Sequence, residues 1–130
     1  MTRCTATLTG RLEGVSRVNV DLAWDSADPY AVTIALKVPG TRLATERTFA
    51  RHLLACGLTT RQGEGLVTVE PDPQDRIRVT LRSKAGETCV DLDRIPLWLF
   101  VQDTEKYIPV GVEDVTPAID QAIARCFTGR

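Results

Sequence analysis

The chain has 130 residues, of which 43% are hydrophobic and 25% charged, the balance of one globular domain with a core of its own. Lys and Arg number 16 against 17 Asp and Glu, a formal net charge of −1, which argues against a protein that works mainly by neutralising nucleic-acid phosphates. His52 is the single histidine, and the four cysteines (Cys4, Cys56, Cys89, Cys126) are far apart, so the sequence holds no histidine-rich metal site, CxxC zinc ribbon or thioredoxin-type motif, and no cofactor is expected.

Residues 4–12 alternate, with Cys4, Ala6, Leu8 and Leu12 on one parity and Thr5, Thr7, Thr9 and Arg11 on the other, which predicts a half-buried strand. Gly14 and Ser16 mark a turn. A second strand is expected over Val18–Trp24, with Val18, Val20, Leu22 and Trp24 on its apolar face. Asp25–Pro29 reads as a loop, because a proline disfavours a helical residue before it. Tyr30–Val38 is rich in β-formers and predicts the third strand. Pro39-Gly40 fits the centre of a type II turn.

A fourth strand follows over Arg42–Phe49, then a short helix over Ala50–Cys56, with Thr48 as candidate N-cap and Gly57 in the C′ position. Strands are expected at Leu66–Glu70, Arg76–Arg82 and Thr88–Leu92, separated by Pro71-Asp72-Pro73 and by Lys84-Ala85-Gly86-Glu87. The period then changes. Residues 94–107 suit a helix capped by Asp93, with Pro96 tolerated in its first turn. A last helix is marked by Val115, Ile119, Ala122, Ile123, Cys126 and Phe127, with Thr116-Pro117 at its start.

These elements sum to a single α+β domain over residues 1–130: a twisted, mostly antiparallel sheet of about seven strands, one inserted helix and two C-terminal helices. The N-terminus carries no signal-peptide core and no run approaches a membrane span, so a cytoplasmic protein without membrane insertion is expected.

Three constellations could carry chemistry or binding. His52 and Cys56 are four apart on the short helix and share a face; they could be a nucleophile with its base, or a packing thiol beside an exposed histidine. Arg76, Arg78 and Arg82 share one strand face. They could track a single-stranded nucleic acid, although no aromatic residue is interleaved for stacking, or they could be a solvated face paired with acidic neighbours. Leu97, Trp98, Leu99, Phe100 and Val101 make the penultimate helix apolar nearly all round. Such a helix lies deep in the core or packs on a second subunit as well, which marks Leu97, Trp98, Phe100 and Val101 as candidate oligomer-interface residues.

The stretch Asp25-Ser26-Ala27-Asp28-Pro29-Tyr30-Ala31-Val32 resembles the D-x-A-D-P-Y-A-V signature of the SsgA-like proteins, small sporulation and cell-division proteins of filamentous actinobacteria. Phe49-Ala50-Arg51-His52-Leu53-Leu54-Ala55-Cys56-Gly57-Leu58 is similar to their F-A-R-(D or E)-L-L-x-x-G-L segment. Gly63, Gly65, Val67 and Pro71 fit the block that follows, and Phe100, Thr104, Pro109 and Gly111 fit a helix-and-exit pattern near the C-terminus. The chain departs from the family at His52, where an acidic residue is usual, at Leu66 for an aspartate and at Glu70 for a tryptophan.

The resemblance implies a Whirly-like fold assembled as a homotrimer, and a non-enzymatic adaptor. The partners it implies are division or cell-wall proteins, such as the tubulin-like FtsZ or another family member, met at division septa. On that reading the exposed residues of the signature loop and the short helix, namely Asp25, Asp28, Tyr30, Arg51 and His52, are the candidate protein-binding residues.

Overall fold

The structure is a computed structural model and describes residues 2–13, 16–40, 44–63 and 65–110. Nine elements run in the order β1 (Arg3–Leu12), β2 (Ser16–Asp25), β3 (Asp28–Lys37), β4 (Ala44–Ala50), α1 (Arg51–Cys56), β5 (Val67–Pro71), β6 (Arg76–Ser83), β7 (Gly86–Asp93) and α2 (Arg94–Glu105). The α+β class, the seven strands and the inserted helix are as the periodicity predicts. The expected final helix, and the expected strand start at Arg42, lie outside the described residues.

The strands form one antiparallel sheet in the order β4-β3-β2-β1-β7-β6-β5. Successive strands are hairpin neighbours within each half, and the halves meet where β1 lies beside β7. That seam is short among the described residues: Arg11–Asp91 and Leu12–Val90 are in register there, and the Glu13 amide donates to the Cys89 carbonyl one residue further on. α1 touches β3, β4 and β5, strands from opposite ends of this order. The sheet therefore curls, nearly barrel-like, until its two ends flank the helix.

Strict alternation puts one side chain in two on the concave face. Val18, Val20, Leu22 and Trp24 of β2, Val32, Ile34 and Leu36 of β3, and Ile77, Val79 and Leu81 of β6 are all buried there. Leu54 of α1 and Leu97, Phe100 and Val101 of α2 close the same single core. The convex face is polar, carrying Thr5, Thr7 and Thr9 of β1 and the arginines of β6.

Several local expectations shift. Ser16 opens β2 opposite Leu12, rather than lying in a turn. Asp25–Pro29 is not an open loop: β2 ends at Asp25, β3 begins at Asp28, and a bulge at Trp24–Asp25 absorbs the change of register. Thr48 does not cap α1. Its hydroxyl lies 3.2 Å from that of Thr33 across the β3–β4 ladder, and Ala50 takes the cap position with no side-chain hydrogen bond. Gly40 has the φ of 79° that a type II turn requires.

Gly57, by contrast, keeps an ordinary helical φ of −67°. Its role is close approach, because a Cβ there would stand 2.3 Å from Cγ1 of Val69 and 2.7 Å from the Leu53 carbonyl.

Candidate functional site

α1 follows β4 without a break, so its first residue is aimed by the strand that precedes it. Arg51 lies three residues before Leu54 and shares its inward face. Its side chain is fully buried. The guanidinium lies 5.1 Å from the ring centroid of Trp24, and its Nη1 donates to the Thr104 hydroxyl at 3.0 Å. Thr104 in turn donates to the Val101 carbonyl, and Tyr107 stacks on Trp24 at 6.4 Å. Arg51 thus joins α1, α2 and β2 inside the molecule. As a candidate contact for a partner protein it is corrected: its charged head does not reach the surface.

His52 points the other way and is exposed. Cys56 Sγ lies 3.5 Å from its Nδ1, so the structure brings together the pair that helical spacing predicts. No third group orients the imidazole among the described residues, since its hydrogen bonds go to Cys56 alone.

The signature turn is held from several sides. Asp25 Oδ1 accepts from the Ala27 amide at 2.8 Å, an Asx turn. Ser26 exchanges two bonds with Thr2, and the Trp24 indole donates to the Pro29 carbonyl at 2.9 Å. Asp28 and Tyr30 stay exposed, Tyr30 at 44%. Asp25 and Asp28 also line a shallow hollow of about 260 Å³ together with Arg3. No hydrogen bond or ion pair links this turn to His52 among the described residues.

α2 carries two apolar stripes. Leu97, Phe100, Val101 and Thr104, at i, i+3, i+4 and i+7, are buried in the core. Three of the four expected interface residues, Leu97, Phe100 and Val101, are therefore corrected to core residues of their own subunit. Trp98 alone remains available, 47% exposed. It is joined by two residues missed from the sequence, Ile95 and Leu99, at 68% and 51%. Their i, i+3, i+4 spacing around Trp98 was the signal that could have found them.

The three arginines of β6 share the convex face, and each stands opposite an acid of β7 in the ladder. Arg76 faces Asp93, Arg78 faces Asp91 and Arg82 faces Glu87. Arg78 makes two hydrogen bonds to Asp91, of 2.8 and 3.2 Å, and this carboxylate raises the arginine's pKa. Arg82 reaches Glu87 at 3.3 Å and Thr68 at 2.6 Å, and Arg76 reaches Asp93 at 3.8 Å. The register has matched the row of positive charge with negative charge, so these three arginines are a paired sheet face and not a free track for phosphates.

A sequence model of the family described as Streptomyces sporulation and cell division protein, SsgA, matches residues 18–113. The chain belongs to the SsgA family. It is 34% identical over 110 residues to the sporulation-specific cell division protein SsgB of Saccharopolyspora erythraea, covering 83% of this chain and 77% of that protein. It is 34% identical over 110 residues to SsgB of Streptomyces coelicolor, covering 82% and 80%. Among solved structures, an SsgA-like sporulation-specific cell division protein from Thermobifida fusca superposes with a TM-score of 0.78 at 28% identity, covering 95% of each chain. A structure reported with SsgB mutations and longitudinal cell division in Streptomyces coelicolor also gives 0.78, at 33% identity, covering 86% of this chain and 93% of that one.

The SsgA family is one of sporulation and cell-division proteins rather than a known enzyme family. Its signature residues in this chain are mostly anchors. Pro29 and Phe49 are buried, and Leu54 sits in the core. No helix among the described residues is long and apolar enough to cross a membrane.

Proposed function

We propose that this SsgA-family protein acts in sporulation-associated cell division as a non-enzymatic, oligomeric adaptor that recruits or localises septum or cell-wall machinery. The observation that carries the reading is the outer stripe of α2. Ile95, Trp98 and Leu99 expose apolar surface on a helix that already spends another stripe on the core, and such a face is suited to a protein neighbour. A second copy of the chain is the first occupant to consider, with a trimer as the assembly the family resemblance implies. The partner is then met by the remaining exposed groups, Asp28, Tyr30 and His52 among them. His52 replaces a usual acid, so it changes the charge on that helix face and is the residue best suited to alter partner choice.

The test is a fluorescent fusion expressed from the native locus together with deletion of the gene. Bands at septa and a defect in septum placement are expected. Diffuse fluorescence with normal septation on deletion would overturn the reading.

A further inference from the structure

The convex face of the sheet holds two arginines that, unlike those of β6, have no acid. Arg11 of β1 and Arg17 of β2 are direct register partners. Ser26 donates to the Thr2 carbonyl, so the even residues of β1 bond to β2 and the odd ones do not. Arg11 and Arg17 are thus a non-hydrogen-bonded pair, the kind whose Cα atoms approach to about 4.5 Å. Two like charges directly opposite each other destabilise a ladder. The one acid in register with Arg11 on its other side is Asp91, and both of its oxygens are taken by Arg78. Neither Arg11 nor Arg17 makes an ion pair among the described residues.

The pair borders a groove at the seam of the sheet. One hollow of about 450 Å³ is lined by Arg11, Arg17, Arg76, Asp91 and Asp93, with Thr9 and Gly10. A second, of about 410 Å³, shares Arg11, Arg76 and Asp91 and continues toward Arg78. Arg76–Asp93 and Arg78–Asp91 pair, and Asp72, which also lines the second hollow, accepts from the Gln74 and Arg76 amides. Arg11 and Arg17 are thus left without an ion pair among the described residues, although the lining as a whole carries only a small positive excess. No aromatic side chain lines either hollow, so bases would have nothing to stack on. A continuous run of phosphates would also have to pass Asp93, whose side chain is 68% exposed. A peptide needs no stacking platform, and because alternate residues of an extended segment present to one face, its acids can be confined to those that meet Arg11 and Arg17, with neutral residues passing Asp93.

We infer that the Arg11–Arg17 groove is a docking site for an acidic, extended segment of a partner protein, with carboxylates at alternate positions. The inference rests on the adaptor reading and supplies the chemistry of its partner.

The test is an NMR titration of the nitrogen-labelled protein with a short peptide in which Asp alternates with Ser, carried to roughly millimolar concentration. Shifts centred on Arg11, Arg17 and Asp91 are expected, weakening as salt is raised. Arg11→Gln and Arg17→Gln should each lower the affinity about fivefold or more. Arg82→Gln, whose guanidinium is bound to Glu87 and Thr68, should leave it unchanged. Arg17→Gln should keep or raise the melting temperature, because it relieves a like-charge pair, so lost binding would not be lost folding. Absence of shifts, unchanged affinity in the Arg11→Gln/Arg17→Gln double variant, or tighter binding of an oligothymidylate of equal charge would each overturn the inference. Septal localisation that survives in the double variant would remove the groove while leaving the division role in place.

Discussion

Arg51 and His52 are neighbours in sequence and opposite in consequence. A one-residue step along a helix turns a side chain by roughly 100°, so one faces the core and the other solvent. Arg51→Leu removes the hydrogen bond to Thr104 and the contact with Trp24, and is expected to cost about 2–4 kcal/mol in urea denaturation. His52→Ala is expected to stay within about 0.5 kcal/mol of the parent in the same measurement. Equal losses in the two variants would contradict the geometry.

Cys4 gives a second contrast. Burial, and then the Asp103 carboxylate, raise its pKa from the usual 9.0. The folded state therefore holds the thiol proton more tightly than the unfolded state. Its contribution to stability is complete below the unfolded value and fades as pH rises past it. Mass-spectrometric tracking of iodoacetamide labelling at mildly alkaline pH should show Cys4 modified more slowly than a free thiol of ordinary pKa in a reference peptide.

At the scale of the element, α2 explains why an all-round apolar helix is ambiguous in sequence. Both stripes have the same spacing, and only packing says which one the sheet takes. Leu97 is fully buried, so Leu97→Ala should lower stability by about 2–5 kcal/mol in chemical denaturation. Trp98→Ala should barely change the stability of an isolated subunit. It should instead lower the mass measured by light scattering, if the outer stripe joins copies of the chain. The end of α1 is decided by its neighbour β5. Gly57→Ala drives a methyl group into Val69 and the Leu53 carbonyl, and a cost of about 1–3 kcal/mol is expected by thermal denaturation.

At the scale of the molecule, two half-sheets meet at a seam of few backbone pairs, yet they enclose one core. Residues from β2 and β3 on one side and from β6 and β7 on the other belong to the same buried cluster, together with Leu54 of α1 and Leu97 of α2. The side chains, more than the ladder, hold the halves together. Unfolding is therefore expected to be a single transition, with tryptophan fluorescence and far-ultraviolet circular dichroism falling at the same urea concentration. Two separated midpoints would mean that the halves have separable cores. The same seam places the Arg11–Arg17 pair, which makes no ion pair among the described residues, beside the matched rows of β6 and β7.

What the sequence determined by itself is whatever a few consecutive residues settle. Alternation in Val18–Trp24 and Arg76–Arg82 dictates strands, Pro39-Gly40 dictates a turn, and the spacing of His52 and Cys56 dictates that they meet. The signature blocks likewise identified the family, because family motifs are local strings. The tertiary structure decided everything that depends on a distant partner. Whether Arg78 is free or bound depends on Asp91, thirteen residues away across a ladder whose register no local pattern contains. Whether Arg51 is a surface charge depends on Trp24 and Thr104 closing over it from two other elements. The same holds for the outer stripe of α2 and for the Arg11–Arg17 pair. Periodicity says which residues share a face, but a charge is matched or left over only when the sheet sets what stands opposite.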